Sequence, residues 1–421
     1  MLLPLVAALT ASTVCLPVLA AQNASGGKPE VQPTGTATGT QTPQLDSKGR
    51  PITEGGFVAS GPVIFEDVSE KAGLTHWTHT MGTPEKTYII ETKGSGVGLI
   101  DYDNDGWLDI YVVNGSTQDA LTGKTAPPHA ALFHNNHDGT FTDVAAKAGV
   151  TNDRWGFGVA IADYDNDGWP DIFVSNFGKN RLYHNNHDGT FTDVAEKAGV
   201  ALGNWSSGAT WGDFDGDGRL DLFVAGYLHW DWNHLPQSSD QNAFCTFRGE
   251  QVACGPRGLE GEPDHLFHNN GDGTFTDVSV KAGVSDPAKY YGLGAVFADI
   301  NNDGRIDFVL STNDGRAYLL RNDTPTRNHW ILLNLVGHVS NRDGIGAVVK
   351  LTASHGVQVV TATTGGSYLS SSDKRVHFGM GLDGVAKEIE VDWPSGIVQK
   401  LTNVKSDQIL RVDEPATRSS Q

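Results

Sequence analysis

Four stretches of this chain concentrate oxygen ligands at one repeated spacing: DYDNDGWLD from Asp101, DYDNDGWPD from Asp163, DFDGDGRLD from Asp213 and DINNDGRID from Asp299. Positions one, three, five and nine are Asp101, Asp103, Asp105 and Asp109 in the first stretch and Asp163, Asp165, Asp167 and Asp171 in the second. In the third they are Asp213, Asp215, Asp217 and Asp221, and in the fourth Asp299, Asn301, Asp303 and Asp307. Position seven offers a backbone carbonyl, from Trp107, Trp169, Arg219 and Arg305 in turn. A hard cation such as calcium takes roughly six to eight oxygens at roughly 2.3–2.6 Å, which only a tight loop can converge on one point. Gly106, Gly168, Gly218 and Gly304 stand where such a loop must turn sharply, in a conformation a Cβ would strain. The expected ligand set is therefore these side chains and carbonyls around about four calcium ions.

An EF-hand opens the same way but needs a bidentate glutamate at position twelve and flanking helices. Position twelve here is Val112, Val174, Val224 or Leu310, and flanks such as GVGLI and IYVV are apolar, β-rich runs that read as strands. The whole unit is longer than its loop. WGFGVAIADYDNDGWPDIFVSNFGKNRLYHNNHDGTFTDVAEKAGV reads as a strand into the loop, a strand out, a third over RLYHNN and a fourth over FTDV. Four-stranded units in tandem are the sequence form of β-propeller blades. The FTDV copies begin at Phe65, Phe141, Phe191 and Phe275, so one precedes the first loop while the last unit, ending RAYLLRND, has none after it. The spacing predicts that FEDVSEKAGL supplies the missing outer strand of the last blade and so closes the ring.

The chain has 421 residues and 38% apolar content, enough for more than one domain core. Its 30 basic and 50 acidic residues give a formal charge of −20, which argues against nucleic acid or an anionic membrane as partner. Residues 1–20 carry no charge and end with Val18 and Ala20 at the small-residue positions of a signal cleavage site. Pro4 and Pro17 argue against a lasting membrane span, and Val14 before Cys15 does not suit a lipobox, so secretion or a periplasmic, envelope location is expected. Residues 21–61 are rich in Gly, Thr, Gln, Pro and Ser and read as a flexible linker. Cys245 and Cys254 then remain as an even pair in the stretch that interrupts the repeat. An exported chain would oxidise them to a disulfide; a two-cysteine metal site competes, with no His or Cys nearby at zinc spacing.

Beyond residue 328, WILLNLVG, AVVKLTA, VQVVTATT, RVHFGMG, EIEVDWP, IVQKLTN and ILRVDE alternate as seven strands without a helix, the pattern of a small antiparallel β-sandwich. Gly344, Gly346, Gly365 and Gly366 fall at its turns or bulges. The acidic loops resemble the FG-GAP/VCBS repeats of integrin alpha-subunit propellers, in which DxDxDGxxD hairpins hold calcium. NRDGIGAVVKL, GGSYLSSSDKRVHFGMG and VDWPSGIVQKL resemble the ASPIC/UnbV domain. Together they resemble the bacterial relatives of cartilage acidic protein. The resemblance implies a calcium-binding propeller over 62–325 and an ASPIC/UnbV domain over 328–414, followed by a tail over 415–421. Animal members add an EGF-like calcium module after this domain, and the chain here stops at Gln421, so an adhesive role is not carried over.

Other residues could do chemistry. HNNHDG places His134 and His137, then His184 and His187, at equivalent positions, with His265 and His268 recurring in the third unit. Repetition favours a structural role in the hairpin over a catalytic one. His76, His79, Lys86 and Glu91 do not repeat and lie in an extra segment before the first loop, where a site for an enzyme or maturation factor would sit. Nucleophile elbow, phosphate loop and HExxH patterns are missing from the sequence. Trp205, Trp211, Trp230 and Trp232 either fill blade cores or face a sugar or peptide, with HWDWNH (229–234) the segment expected to be exposed. The sequence thus favours an exported calcium-binding interaction module for a protein or glycan over an enzyme, with a structural envelope protein as the third class.

Overall fold

A computed structural model describes residues 66–83, 88–234, 244–247, 250–253, 255–256, 258–285, 290–313, 317–368 and 370–416. The expected leader, the linker, Phe65 and Lys86 lie outside the described residues. So does Cys254, and with it the expected disulfide.

The chain is an all-β propeller of four repeated sheet units followed by a β-sandwich. In the first unit, Val97–Ile100, Asp109–Val112, Ala131–Asn135 and Phe141–Asp143 form an antiparallel sheet in that order. The second repeats it with Trp155–Ala162, Asp171–Phe177, Arg181–Asn185 and Phe191–Asp193, the third with Trp205–Gly212, Asp221–Leu228, His265–Asn269 and Phe275–Asp277. The fourth pairs Tyr291–Ala298, Asp307–Asn313 and Tyr318–Leu320. Alternate side chains of neighbouring units meet between sheets, as where Ile172, Val174 and Tyr183 pack with Tyr111, Val113 and Leu132. The first strands of successive units approach closely at glycine. A Cβ on Gly96 would stand 3.0 Å from Val159 N, and one on Gly158 would stand 3.3 Å from Gly208 Cα.

After each FTD strand comes a four-residue helix, Ala145–Ala148, Ala195–Ala198 or Ser279–Ala282, which strand periodicity did not predict. Each ends on a left-handed glycine. These turns lean on the outer strand of the following unit, with Gly149 against Phe191 O and Gly199 against Phe275 O. Gly73 of the N-terminal copy stands in the same way against Phe141 O, and Phe141 N–H donates to Ala72 O at 2.8 Å. The expected interlock with the last unit is not formed by the described residues of that copy. Tyr318–Leu320 has no fourth strand among them, and Leu319 is 62% exposed where Leu132 and Leu182 at the same repeat position are buried.

The C-terminal part has the seven strands read from the sequence, in two sheets. Val357–Thr361, Val348–Thr352, Val385–Asp392 and Val398–Lys405 make one; Val376–Gly381, His329–Val336 and Gln408–Asp413 make the other. One pair departs from the antiparallel expectation: His329–Val336 and Gln408–Asp413 run parallel, because the last strand returns to lie beside the first. Ile331, Leu333, Phe378 and Val412 from one sheet meet Val349, Leu351, Ile389 and Val391 from the other in a continuous core. No helix among the described residues is long and apolar enough to cross a membrane.

Candidate metal centre

Each acidic loop is held by its own backbone. Asp105 N–H and Gly106 N–H donate to the two carboxylate oxygens of Asp101 at 3.0 Å, and Trp107 N–H donates to Asp105 at 2.8 Å. Asp163, Asp213 and Asp299 accept equivalent bonds from Gly168, Gly218 and Gly304 at 2.8–2.9 Å. The ninth residue accepts from the third strand: Asn135 N–H reaches Asp109 at 2.8 Å, and Asn185, Asn269 and Asn322 reach Asp171, Asp221 and Asp307 at 2.7–2.8 Å. These bonds fix the carboxylates while leaving oxygens free for a cation. In the fourth loop Asn301 Nδ2 donates to Asp303 at 2.9 Å, an amide replacing one negative charge.

Sequence reasoning assigned the repeated histidines to the hairpin and missed what they touch. His134 Nδ1 lies 3.5 Å from Asp103 and 3.2 Å from Asp109. His184 sits alike over Asp165 and Asp171 at 3.4 and 3.3 Å, and His268 over Asp215 and Asp221 at 3.5 and 3.2 Å. The fourth unit has Arg321 at this place, paired with Asp323 instead. Asp103, Asp109 and His134, and likewise Asp215, Asp221 and His268, bring ligand atoms within 4.8 Å of one another, as do Asp101, Asp103 and Asp105. Asp103 Oδ1, Asp215 Oδ1 and the Nδ1 atoms of His134, His184 and His268 are buried without a hydrogen-bond partner. Such orphaned ligand atoms facing a carboxylate cluster fit a bound cation.

Position seven divides the loops. Trp107 stacks on His137 at 4.9 Å and Trp169 on His187 at 5.0 Å, and each histidine Nε2 lies 2.6 Å from the fifth-position aspartate. Where position seven is Arg219 or Arg305, the guanidinium pairs with Asp217 or Asp303 instead. The signal was in the sequence: HNNH accompanies Trp, and HNNG accompanies Arg219, whose side chain lies 3.0 Å from where a Cβ on Gly271 would be.

Burial and mutual repulsion raise several of these carboxyls. Asp163 and Asp165 are each pushed up to about 6, chiefly by burial and then by neighbouring carboxylates. Asp221 also reaches about 6, again by burial first, and burial likewise raises Asp213 well above the ordinary carboxylate range. Asp105 moves the other way, drawn down by the Trp107 N–H and by His137.

The loops are also tied to each other. Asn185 Nδ2 donates to Tyr102 O at 2.8 Å, Asn269 Nδ2 to Tyr164 O at 2.9 Å and Asn322 Nδ2 to Phe214 O at 2.6 Å, each reaching back into the preceding loop. Asn104 Nδ2 and Asn166 Nδ2 reach forward to Gly168 O and Gly218 O. The third and fourth loops lie under the C-terminal sandwich. Gly381 N–H donates to Gly216 O at 2.9 Å, Arg375 donates to Asp299 O at 2.8 Å, and His377 Nε2 lies 2.9 Å from Gly304 O.

The other candidates do not gather into one site. His76 is exposed, His79 is half-buried, and Glu91 is buried with its oxygens accepting from Thr83 N–H and Tyr88 N–H at 2.8 and 2.9 Å. Trp205 is buried and Trp211 stacks on Tyr164 at 6.0 Å, both as core residues. The exposed reading of HWDWNH is corrected for its tryptophans. Trp230 and Trp232 are half-buried and meet each other and Tyr88 edge to face at 5.3–6.1 Å, closing an apolar cluster with Met81, Ile90 and Trp155.

Residues 101–174, 163–224 and 252–310 match the FG-GAP-like repeat family, and residues 337–419 match the ASPIC and UnbV family. Cartilage acidic protein 1 of Homo sapiens is 28% identical over 377 residues, spanning 86% of this chain and 48% of that protein. Its Mus musculus counterpart is 26% identical, over 86% and 49%. The chain thus spans about half the length of the curated relatives it matches. Among solved structures, the Vibrio cholerae biofilm matrix protein Bap1 aligns at TM-score 0.28 with 12% identity, over 78% of this chain and 61% of that one. An Agrocybe aegerita lectin described as recognising non-reducing terminal N-acetylglucosamine aligns at TM-score 0.25 with 22% identity, over 53% and 51%. The chain is an FG-GAP-like repeat protein with an ASPIC/UnbV domain, a homologue of cartilage acidic protein 1.

Proposed function

We propose that this chain is an exported calcium-binding β-propeller protein that serves as an interaction module for a protein or glycan partner. In this reading residues 1–20 are removed, 21–61 form a linker, 62–325 the propeller and 328–414 the sandwich. The supporting observation is the fourfold convergence of carboxylates held by backbone N–H groups, with buried ligand atoms such as Asp103 Oδ1 left without a partner. The ligands are Asp or Asn side chains at positions one, three, five and nine and the carbonyl at position seven. A cation there would favour the charged form of Asp163, Asp165 and Asp213, which burial first and neighbouring carboxylates second disfavour. Metal that binds only the folded state stabilises by about 2.7 kcal/mol per site at a hundredfold excess over its Kd. Calcium added to chelated protein should therefore raise the melting temperature strongly, and magnesium, which demands a tighter octahedron, should not. A melting curve indifferent to chelator would refute the metal reading. The partner is sought by affinity capture of envelope proteins and by a glycan array with calcium present; selective binding lost on chelation is expected.

A further inference from the structure

The first strands of the four units surround a cavity of about 270 Å³ that the repeat pattern does not account for. Gly96 and Val97 of the first unit, Phe157 of the second, Trp205 of the third and Leu293 of the fourth all line it. The sandwich domain supplies another wall: Gly366, Ser367 and Tyr368, from the segment GGSYLSSS, reach in beside Gly208, and Ala295 N–H donates to Ser367 Oγ at 3.2 Å. Gly94, Ser95 and Val97 are exposed, so the cavity communicates with solvent there.

Among the described residues Lys93 is the one charged residue in this lining. Its ammonium stands 3.9 Å from the centre of the Tyr227 ring and bonds the Tyr227 hydroxyl. Tyr227 is buried and meets Trp205 edge to face at 4.9 Å, and Trp205 packs on Phe157 at 5.0 Å. Among the described residues no carboxylate forms an ion pair with Lys93; Glu91, two residues before it, is occupied by backbone N–H groups. The titratable groups beside Lys93 in the cavity are the phenols of Tyr227 and Tyr368. Burial brings the Lys93 ammonium down to about 8, so it is still mainly a cation at neutral pH. A desolvated cation facing aromatic walls is stabilised by an incoming counter-charge. Its single point charge matches a monoanion; a phosphate dianion would call for the several N–H donors of an arginine cluster.

We propose that the axial cavity binds a small organic carboxylate, its flat apolar body against Trp205, Phe157 and Tyr368 and its carboxylate on Lys93. The site lies away from the acidic loops and does not depend on their metal.

Phenylacetate, phenylacetamide and inorganic phosphate are the probes, titrated into the full calcium-loaded chain by calorimetry and ligand-observed NMR. Phenylacetate should bind saturably, with Lys93→Met weakening it at least about tenfold. Lys93→Met should melt no lower than the parent, since an apolar stem replaces a half-buried cation that has no ion-pair partner among the described residues. For the unaltered chain, affinity should fall about tenfold for each pH unit above the lysine's value, whether or not the variant folds. Phenylacetamide binding as tightly as phenylacetate, an affinity flat between about pH 7 and 10, or no saturable binding by about 10 mM would each overturn the proposal. Phosphate occupying the cavity in preference to phenylacetate would overturn the organic part of it.

Discussion

Single residues carry the charge relations of this chain, and Glu414 shows how far a buried carboxylate can be satisfied. One of its oxygens accepts from His338, Val339 and Ser340 N–H at 2.7–2.8 Å and the other from the hydroxyls of Ser340 and Ser395. Burial alone would raise its pKa, but these bonds outweigh it and bring the group from 4.5 to about 2. A lowered carboxylate contributes stability that is complete above the unfolded value and is lost as pH falls from 4.5 toward 2. Glu414→Gln should thus lose about 3 kcal/mol at neutral pH, with the gap from the parent narrowing only below pH 4.5, in urea melts at several pH values. A gap independent of pH would assign the loss to packing. The aspartates of the loops were legible from spacing because the four ligand side chains of each loop fall within nine residues of one another. His134 and His184 were visible as repeats, but their position over the third and ninth ligands depends on strand register. Lys93 belongs to no repeat, and what makes it notable is the distant Tyr227 and Tyr368.

At the scale of elements, the acidic loop is less self-contained than its sequence suggests. Asn185 is buried, its N–H bonds Asp171 of its own loop, and its amide donates to Tyr102 O of the loop before and to Pro170 O. A ligand lost from one loop is therefore felt by the next through a 2.8 Å bond, so the four sites should be coupled where tandem repetition alone would suggest independence. Asn185→Ala keeps the backbone N–H on Asp171 but leaves buried carbonyls unpaired, which costs about 1–3 kcal/mol. Calcium titration of this variant by calorimetry should show two weakened sites, the first and second; weakening of the second alone would argue against the coupling. Strands and blades were readable because apolar alternation and the DGT turns are local. The helical turns after FTDV were not, since four residues give too little periodicity to separate a helix from a loop.

For the whole molecule, the decisive feature is the seating of the sandwich on two of the four loops, which no local pattern encodes because the contacting residues lie far apart in the chain. Gly106, Gly168 and Gly304 share one backbone conformation, with φ of +90°, +89° and +87°. Alanine at any of them carries the left-handed strain, about 1–2 kcal/mol. Their surroundings differ. A Cβ on Gly106 or Gly168 meets nothing within 4 Å, whereas one on Gly304 would lie 1.8 Å from the Trp330 ring of the sandwich. Trp330 would have to move, adding an overpacking cost of about 1–3 kcal/mol. Gly106→Ala and Gly168→Ala should therefore lose similar stability in urea with calcium present, and Gly304→Ala distinctly more. Displacing the sandwich would also draw Gly366–Tyr368 from the axial cavity, so Gly304→Ala alone should weaken phenylacetate there. Equal losses in all three variants would mean that the fourth loop and Trp330 do not meet in solution, and that the cavity wall they support is not fixed.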